Sequence, residues 1–384
     1  MPIKHKINPN AMQVIDRLHK AGYEAYLVGG AVRDLLLEID PKDYDLATNA
    51  TPEEVKAVFG RRSRLIGRRF RLAHVYVRRD LFEVSTFRRT PNEEERKIRE
   101  TDDGKMVWSD NEYGTLEEDA FRRDFTVNAL YYDPFNASHE VTDLVGGVAD
   151  IENRKVRTIG DPRTRMIEDP VRMLRACKLA GQYGFEIGDE LAAVIAEESH
   201  TFALTSVARR LEELFKIFHK ACCSPTLEAC EKFGLLPHFL PEIAKAWEDP
   251  ELRKRGLAML AARDSLLAKG EVYPSRVTGI AALLVPLYQA RKGCEAPNQI
   301  WRNCTGIDAD LHSWIRDMVE PYKVPRHIVA KTRETMLLLP KMCGGDRRRV
   351  KRHREFARAR DTFNTLREAA GRIELMPHPE QDDQ

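Results

Sequence analysis

The spacing of apolar positions changes rhythm part-way along the chain. Up to about Asp150, short strand-like runs mix with a few helical stripes. Val14, Ile15 and Leu18 fall on one side of a helix predicted over Met12 to Lys20. Tyr23 to Val28 reads as a strand that stops at Gly29-Gly30, and a short helix over Ala31 to Leu37 follows. Phe70 to Val77 and Leu81 to Phe87 are rich in β-formers and flank Arg78-Arg79-Asp80, which predicts an antiparallel hairpin. Arg88 to Glu118 is polar and aperiodic and reads as a mobile loop. After Pro170 the strand signals fade and helical stripes dominate. Val207 to Phe218, with Leu211, Leu214, Phe215 and Phe218 on one stripe, is an example. Prolines near 225, 237–241, 274, 286, 297 and 321–325 predict the breaks. From Met376 the chain is proline- and acid-rich, and disorder is expected there. The pattern gives an α/β head followed by a long helical arm.

Composition narrows the class. The 384 residues, 42% of them hydrophobic and 32% charged, are ample for two or three domains with real cores. No apolar run approaches the roughly 18–20 residues that span a bilayer. The opening MPIKHKINPNAMQVI has no stretch that could serve as a secretory signal. Seven cysteines without a CxxC spacing argue against a disulfide framework or zinc ribbon and for a reducing cytosol. A soluble cytoplasmic protein is the expectation. Charge is unevenly spread: Lys331 to Arg360 holds eleven Lys/Arg against three Asp/Glu, a net +8 in a chain of net +2. Such a segment suits a polyanionic partner, although a solvated helix face explains it equally well.

Five segments carry candidate chemistry. In LVGGAVRD, Leu27 to Asp34, a strand ends in two glycines and opens a helix. That geometry lets backbone N–H groups and Arg33 approach a phosphate, or it is simply a tight turn. Neither GxGxxG nor a GKS/GKT loop is present. Asp43-Tyr44-Asp45 can aim two carboxylates at one point, which a hard cation such as Mg²⁺ would favour, but DxD is also common in surface turns. Glu83 lies mid-strand beside Leu81 and Phe87, where a carboxylate needs a partner. A metal shared with Asp43 and Asp45 is one; a salt bridge to Arg69, Arg71 or Arg88 is another. In Arg122-Arg123-Asp124-Phe125-Thr126-Val127-Asn128 the arginines suit phosphate and the Asp/Asn pair suits ribose hydroxyls. Asp124 could equally cap a helix. In Glu168-Asp169-Pro170-Val171-Arg172-Met173-Leu174-Arg175, Asp169 reads as an N-cap before proline. It also lies three residues from Arg172, so an acceptor and a donor could together match the edge of a base. Arg175 and Lys178 continue the basic row.

In this order and spacing the segments resemble the class II nucleotidyltransferases, the bacterial tRNA CCA-adding enzymes and poly(A) polymerases. The likeness covers roughly Tyr23 to Phe218 and rests on LVGGAVRD, DYD, RRDFTVNAL, EDPVRMLRA and, more loosely, ARRLEELFKIF. It implies an α+β fold: an N-terminal nucleotidyltransferase head with a mixed sheet flanked by helices, then an all-helical neck, body and tail. The corresponding spans are 1–160, 161–222, 223–325 and 326–384, the last basic and RNA-binding. Gly29, Gly30 and Arg33 would hold the triphosphate of ATP. Asp43, Asp45 and Glu83 would be catalytic and bind two Mg²⁺, with Asp124 counted beside them. Arg123 and Asn128 would contact sugar and phosphates, and Asp169 and Arg172 would read the base with support from Arg175 and Lys178. The family usually has arginine where Lys178 stands, and lysine keeps the charge without the planar fork. Arg347, Arg348, Arg349, Lys351, Arg352 and Arg354 would grip RNA.

Leu65 to Val75, LIGRRFRLAHV, resembles the polymerase version of a segment that separates bacterial poly(A) polymerases from CCA-adding relatives. TLEEDAFRRDF and ARRLEELFKIF lean the same way, and no His-Asp dipeptide marks an appended phosphohydrolase. The implied activity is template-independent addition of AMP from ATP to RNA 3′ ends, with CCA addition from CTP and ATP as the alternative. RNA 3′ ends and ATP are the implied partners, and no membrane is expected. A non-catalytic RNA binder would be expected to lack a carboxylate of the trio, and a dehydrogenase or kinase would need a dinucleotide or Walker fingerprint.

Overall fold

The computed structural model describes residues 6–67, 71–90, 112–138, 140–294, 296, 298–302, 306–343, 350–371 and 376, with backbone alone at 99–100 and 106–107. The chain divides into two compact units, Met1–Arg165 and Met166–Gln384.

In the first unit, α1 (Pro9–Lys20) buries Ala11, Val14, Ile15 and Leu18. It starts ahead of the apolar stripe because Asn8 caps it and Pro9 supplies the first helical residue. β1 (Ala25–Val28) leads into α2 (Gly30–Leu36), and β2 (Asp45–Thr48) into α3 (Pro52–Phe59). β3 (Ser63–Ile66), β4 (Leu72–Val77) and β5 (Asp80–Thr86) follow, the last two forming the expected hairpin. The segment expected to be a mobile loop carries structure where it is described, while 91–98, 101–105 and 108–111 lie outside the described residues. Arg88 bridges Tyr113, β6 (Arg99–Glu100) pairs with β7 (Met106–Val107), and α4 (Leu116–Arg122) begins inside it. The signal for α4 was local: Thr115 and Glu118 form a reciprocal capping box. β8 (Leu130–Tyr132), β9 (Val141–Asp143), α5 (Gly147–Glu152) and β10 (Lys155–Val156) complete the unit.

The sheet is mixed, in the order β3-β4-β5-β2-β1-β8-β9. Only β2 and β5 run parallel within it, and they bring Asp45 opposite Glu83. The side of the sheet that carries Asp45 and Glu83 is packed over part of its area, where Val28, Ala47, Phe87, Ala120 and Tyr131 form a core cluster. Along β5, Phe82 and Val84 point inward while Leu81 and Glu83 are exposed. The Glu83 side of β5 is therefore wet at Leu81 and Glu83 and dry at Phe87, so Glu83 itself escapes the burial cost expected from its apolar neighbours.

After α6 (Pro162–Glu168), the second unit is almost wholly helical. It contains α7 (Val171–Tyr183), the short β11 (Glu186–Ile187), α8 (Asp189–Glu198), α9 (Val207–Phe218), α10 (Cys223–Lys232), α11 (Leu236–Phe239) and α12 (Pro241–Ala246). α13 (Pro250–Ala268), α14 (Arg276–Arg291), α15 (Ile307–Val319), α16 (Arg326–Met342) and α17 (Phe356–Ala369) follow. The break expected at Pro286 does not occur. That proline sits inside α14, whose residues Val277 to Gln289 are all buried against α13, α16 and α17. Packing on all sides outweighs the missing backbone hydrogen bond. The break expected near Pro225 is present: α9 ends at Phe218 and α10 begins at Cys223, with Pro225 in its first turn. Gly279 of α14 lets Phe218 lie flat on the backbone, since a Cβ there would sit 2.3 Å from the ring. The tail expected to be disordered falls outside the described residues except Met376, which exchanges backbone hydrogen bonds with the Asn364 side chain. Among the described residues no helix is long and apolar enough to cross a membrane.

Candidate active site

β1 ends in Gly29, whose φ of 71° only glycine adopts without strain. The turn is pinned by the Gly29 N–H donating to Leu130 O at 3.0 Å. A Cβ at Gly29 would lie 3.4 Å from both Arg123 Nη1 and Asn128 O. Two motifs nearly a hundred residues apart therefore close on each other. Arg33, buried in α2, donates to Asn128 Oδ1 at 2.5 Å and pairs with Asp34 at 2.7 Å. Asn128 in turn donates to Asp124 Oδ1 at 3.3 Å, and the same oxygen accepts from the Phe125 N–H at 2.8 Å. Asp124 caps no helix: α4 stops at Arg122 before it.

Arg123 is committed within this framework. Its guanidinium pairs with Asp119 at 2.8 Å, donates to Tyr131 Oη at 2.9 Å and lies over the Tyr131 ring. Tyr131 donates to Asp119 at 2.6 Å. Burial alone would raise the Asp119 carboxyl, but the charge of Arg123 and hydrogen bonds from Tyr131 and Arg123 hold it below the ordinary range. Burial pushes the Tyr131 hydroxyl up, and the Asp119 charge adds to it. Arg165 donates to the carbonyls of Arg122 and Arg123, fixing the strand between them.

Asp43, just ahead of β2, and Asp45, its first residue, are exposed, as is Glu83 across the parallel register. Glu83 lies 3.5 Å from His74 Nε2. Of the arginine partners expected for it, Arg71 pairs with Glu53, Arg88 donates to Arg71 O, and Arg69 lies outside the described residues. An all-oxygen donor set on an exposed strand end fits a hard divalent cation. Among the described residues, no group of three or more His, Cys, Asp or Glu is gathered closely enough to enclose an ion. A cation at this strand end would therefore complete its shell with water and substrate phosphate.

In the second unit Asp169 does not cap α7; Pro170 occupies that position. Instead Arg209 grips both Asp169 oxygens, at 2.9 and 2.8 Å. Arg172 pairs with Glu168 at 3.1 Å. The row beyond it converges on Glu213, a buried carboxylate 3.4 Å from Arg175 and 3.2 Å from both Lys178 and Lys216. Burial would raise Glu213, but these three cations bring it down to about 2. Sequence reasoning missed Glu213, although it falls four residues before Ile217 on the buried stripe of α9. It missed Asp119 too, which lies four residues before Arg123 on one helix turn. Arg209 falls inside the ARRLEELFKIF motif, but no role for it was legible there.

The basic segment is largely neutralised where it is described. Arg354 pairs with Glu334 at 2.6 Å, Arg358 with Glu355 at 2.5 Å, and Arg333 with Asp308 at 3.3 Å. Arg360 is buried against Asp361. Lys351 and Arg352 are exposed, and Arg347, Arg348 and Arg349 lie outside the described residues.

Known proteins are similar to this chain in sequence and fold. Residues 25–157 match the family described as the poly A polymerase head domain, and residues 184–246 the one described as a probable RNA and SrmB-binding site of polymerase A. Poly(A) polymerase I of Salmonella typhi is 44% identical over 241 residues, 62% of this chain and 51% of the relative. This chain spans about half the length of that polymerase. The CCA-adding enzyme of Bacillus velezensis is 32% identical over 292 residues, 76% of this chain and 67% of the relative. The crystal structure of the Bacillus stearothermophilus CCA-adding enzyme in complex with CTP superposes with a TM-score of 0.66 at 26% identity, covering 94% of this chain and 78% of that one.

Proposed function

Because this chain belongs to the poly(A) polymerase and tRNA nucleotidyltransferase family, we propose that it extends RNA 3′ ends with AMP from ATP, without a template, and releases pyrophosphate. The observation that carries the proposal is the parallel register that sets Asp45 opposite Glu83, two residues beyond Asp43, on the open face of a sheet with this family's motifs. Identities of 40–44% to poly(A) polymerases, against 32–36% to CCA-adding enzymes, support adenylation. The likeness to an enzyme solved with CTP keeps CCA addition as the second reading.

Asp43, Asp45 and Glu83 would hold two Mg²⁺. Bound there, the ions supply a lowered pKa at the RNA 3′-hydroxyl and countercharge for the departing pyrophosphate. The turn at Gly29 and Gly30 presents backbone to the triphosphate. Arg33 and Arg123 keep that turn in place through Asn128 and Asp119 and bring positive charge beneath it. Asp124 and Asn128, half-buried and joined to each other, offer an acceptor and a donor to the ribose. Asp169 and Arg172, oriented by Arg209 and Glu168, read the base edge, and Arg175 and Lys178 brace them through Glu213. We propose a division into head, neck, body and tail at residues 160, 222 and 325, with Lys351, Arg352 and Arg347 to Arg349 contributing to RNA affinity. The described cysteines are free thiols, which supports a reducing cytoplasm as the site of action.

The test is extension of two labelled RNAs, an unstructured oligomer and a tRNA lacking CCA, with Mg²⁺ and ATP, CTP or both. Long ladders from ATP alone are expected. Extension that requires CTP and stops after three nucleotides on tRNA overturns the adenylation reading in favour of CCA addition.

A further inference from the structure

The open face of the sheet continues past the carboxylates. Asp45 on β2 faces Glu83 on β5, Glu83 faces His74 on β4, and His74 faces Arg64 on β3. One step along, Leu81 faces Tyr76. Directly opposed residues share a side of the sheet, so these side chains form one surface. Leu81 and Tyr76 are large and exposed on it. At its outer edge an open groove of about 440 Å³ is lined by Arg61, Arg62, Arg64, Tyr76 and Arg78. All four arginines are exposed, and none makes an ion pair among the described residues. Asp80, within electrostatic reach of Arg78, accepts hydrogen bonds from Asn8 and Asn10 instead.

We propose that this face is a track for single-stranded RNA, with a base stacked on Tyr76 and phosphates held by Arg61, Arg62, Arg64 and Arg78. The proposal rests on the RNA-extension reading and extends its substrate site. Charge complementarity selects the occupant: four exposed guanidinium groups around an exposed ring suit a flexible polyanion that carries π-faces. Continuity selects the direction. β3 lies three strand spacings from β2, roughly 14 Å, so a strand whose 3′ end is at Asp45 and Glu83 reaches the arginines within a few nucleotides.

The experiment is fluorescence anisotropy of a labelled unstructured RNA on the full chain, without ATP, across a salt series. Arg64→Ala/Arg78→Ala is expected to weaken binding and to flatten log K against log salt by about 1.4, roughly 0.7 per lost phosphate contact. Tyr76→Ala weakens binding at least about fivefold, and Tyr76→Phe restores it. In extension assays the KM for RNA rises while the KM for ATP stays. Arg154→Ala/Lys155→Ala, which removes two charges from outside this face, leaves affinity and slope at parent values. Parent affinity and slope in the Arg64, Arg78 and Tyr76 variants overturn the proposal and leave the groove to a protein partner. The outcome is separable from the choice of nucleotide: incorporation of CTP would replace the adenylation reading without altering a binding curve measured in its absence.

Discussion

Asp43, Asp45 and Glu83 in the first unit are exposed, whereas Asp169, Arg172, Arg175 and Lys178 in the second are each engaged by another side chain. Both sets come from motifs of the same family, and their residue types alone do not separate them. The difference lies in what folding has already asked of them. Carboxylates at the surface, Glu83 beside His74 included, can be reached by a cation and by substrate, while the bridged residues of the second unit act through the geometry they impose. Arg123 and Arg33, although in the first unit, belong with the second kind, since their guanidinium groups hold the Gly29 turn together.

The contrast breaks most visibly where a bracket is removed. Asp119→Ala leaves the buried Arg123 without its carboxylate and should cost about 3–5 kcal/mol in urea unfolding; a loss below about 1 kcal/mol would mean Arg123 escapes to water. Glu213 provides a second test through pH. Its folded pKa is depressed from 4.5 to about 2, so its contribution is complete above pH 4.5 and lost as the pH falls toward 2. Relative to Glu213→Gln, the parent should lose about 3 kcal/mol of stability between pH 5 and pH 2. Parallel acid profiles for the two chains would remove Glu213 from the account.

The exposed set should behave oppositely. Asp43→Asn should cut AMP incorporation by at least roughly a hundredfold with the unfolding curve unchanged and ATP binding partly kept. Full activity in that variant would sink the metal assignment. Between the extremes lies base choice. Asp169→Ala and Arg209→Ala should each reduce the preference for ATP over CTP by roughly tenfold, and the double variant no further, because one removes the other's partner. An unchanged preference in Asp169→Ala refutes its reading of the base. Smallest of all, Arg354→Ala should leave RNA affinity within about twofold, since its charge is already met by Glu334.

Much of the fold was legible from local pattern. The apolar stripes of α1 and α9, the Gly29-Gly30 turn and the β4–β5 hairpin all follow from spacing and turn chemistry. Pro286 misled because a local rule cannot see that α14 is enclosed. Arg88 to Glu118 misled because a capping box is brief and a two-residue strand has no period. At the site, the motif residues were legible but their partners were not: Arg209 meets Asp169 across forty residues, and Asn128 meets Arg33 across ninety-five. Glu83 escaped its expected environment because its side of β5 is wet at Leu81 and Glu83 and dry at Phe87, a change along one face that alternation does not show.

The burial of α14 also has a temporal side. Its thirteen consecutive buried residues leave the ribosome well before α16 and α17, which cover them; about eighty residues separate Gln289 from Ala369. At roughly 5–20 residues per second, that interval lasts about 4–16 s. Throughout it the nascent chain carries a helix whose every side from Val277 to Gln289 is built for burial, with no finished core to receive it.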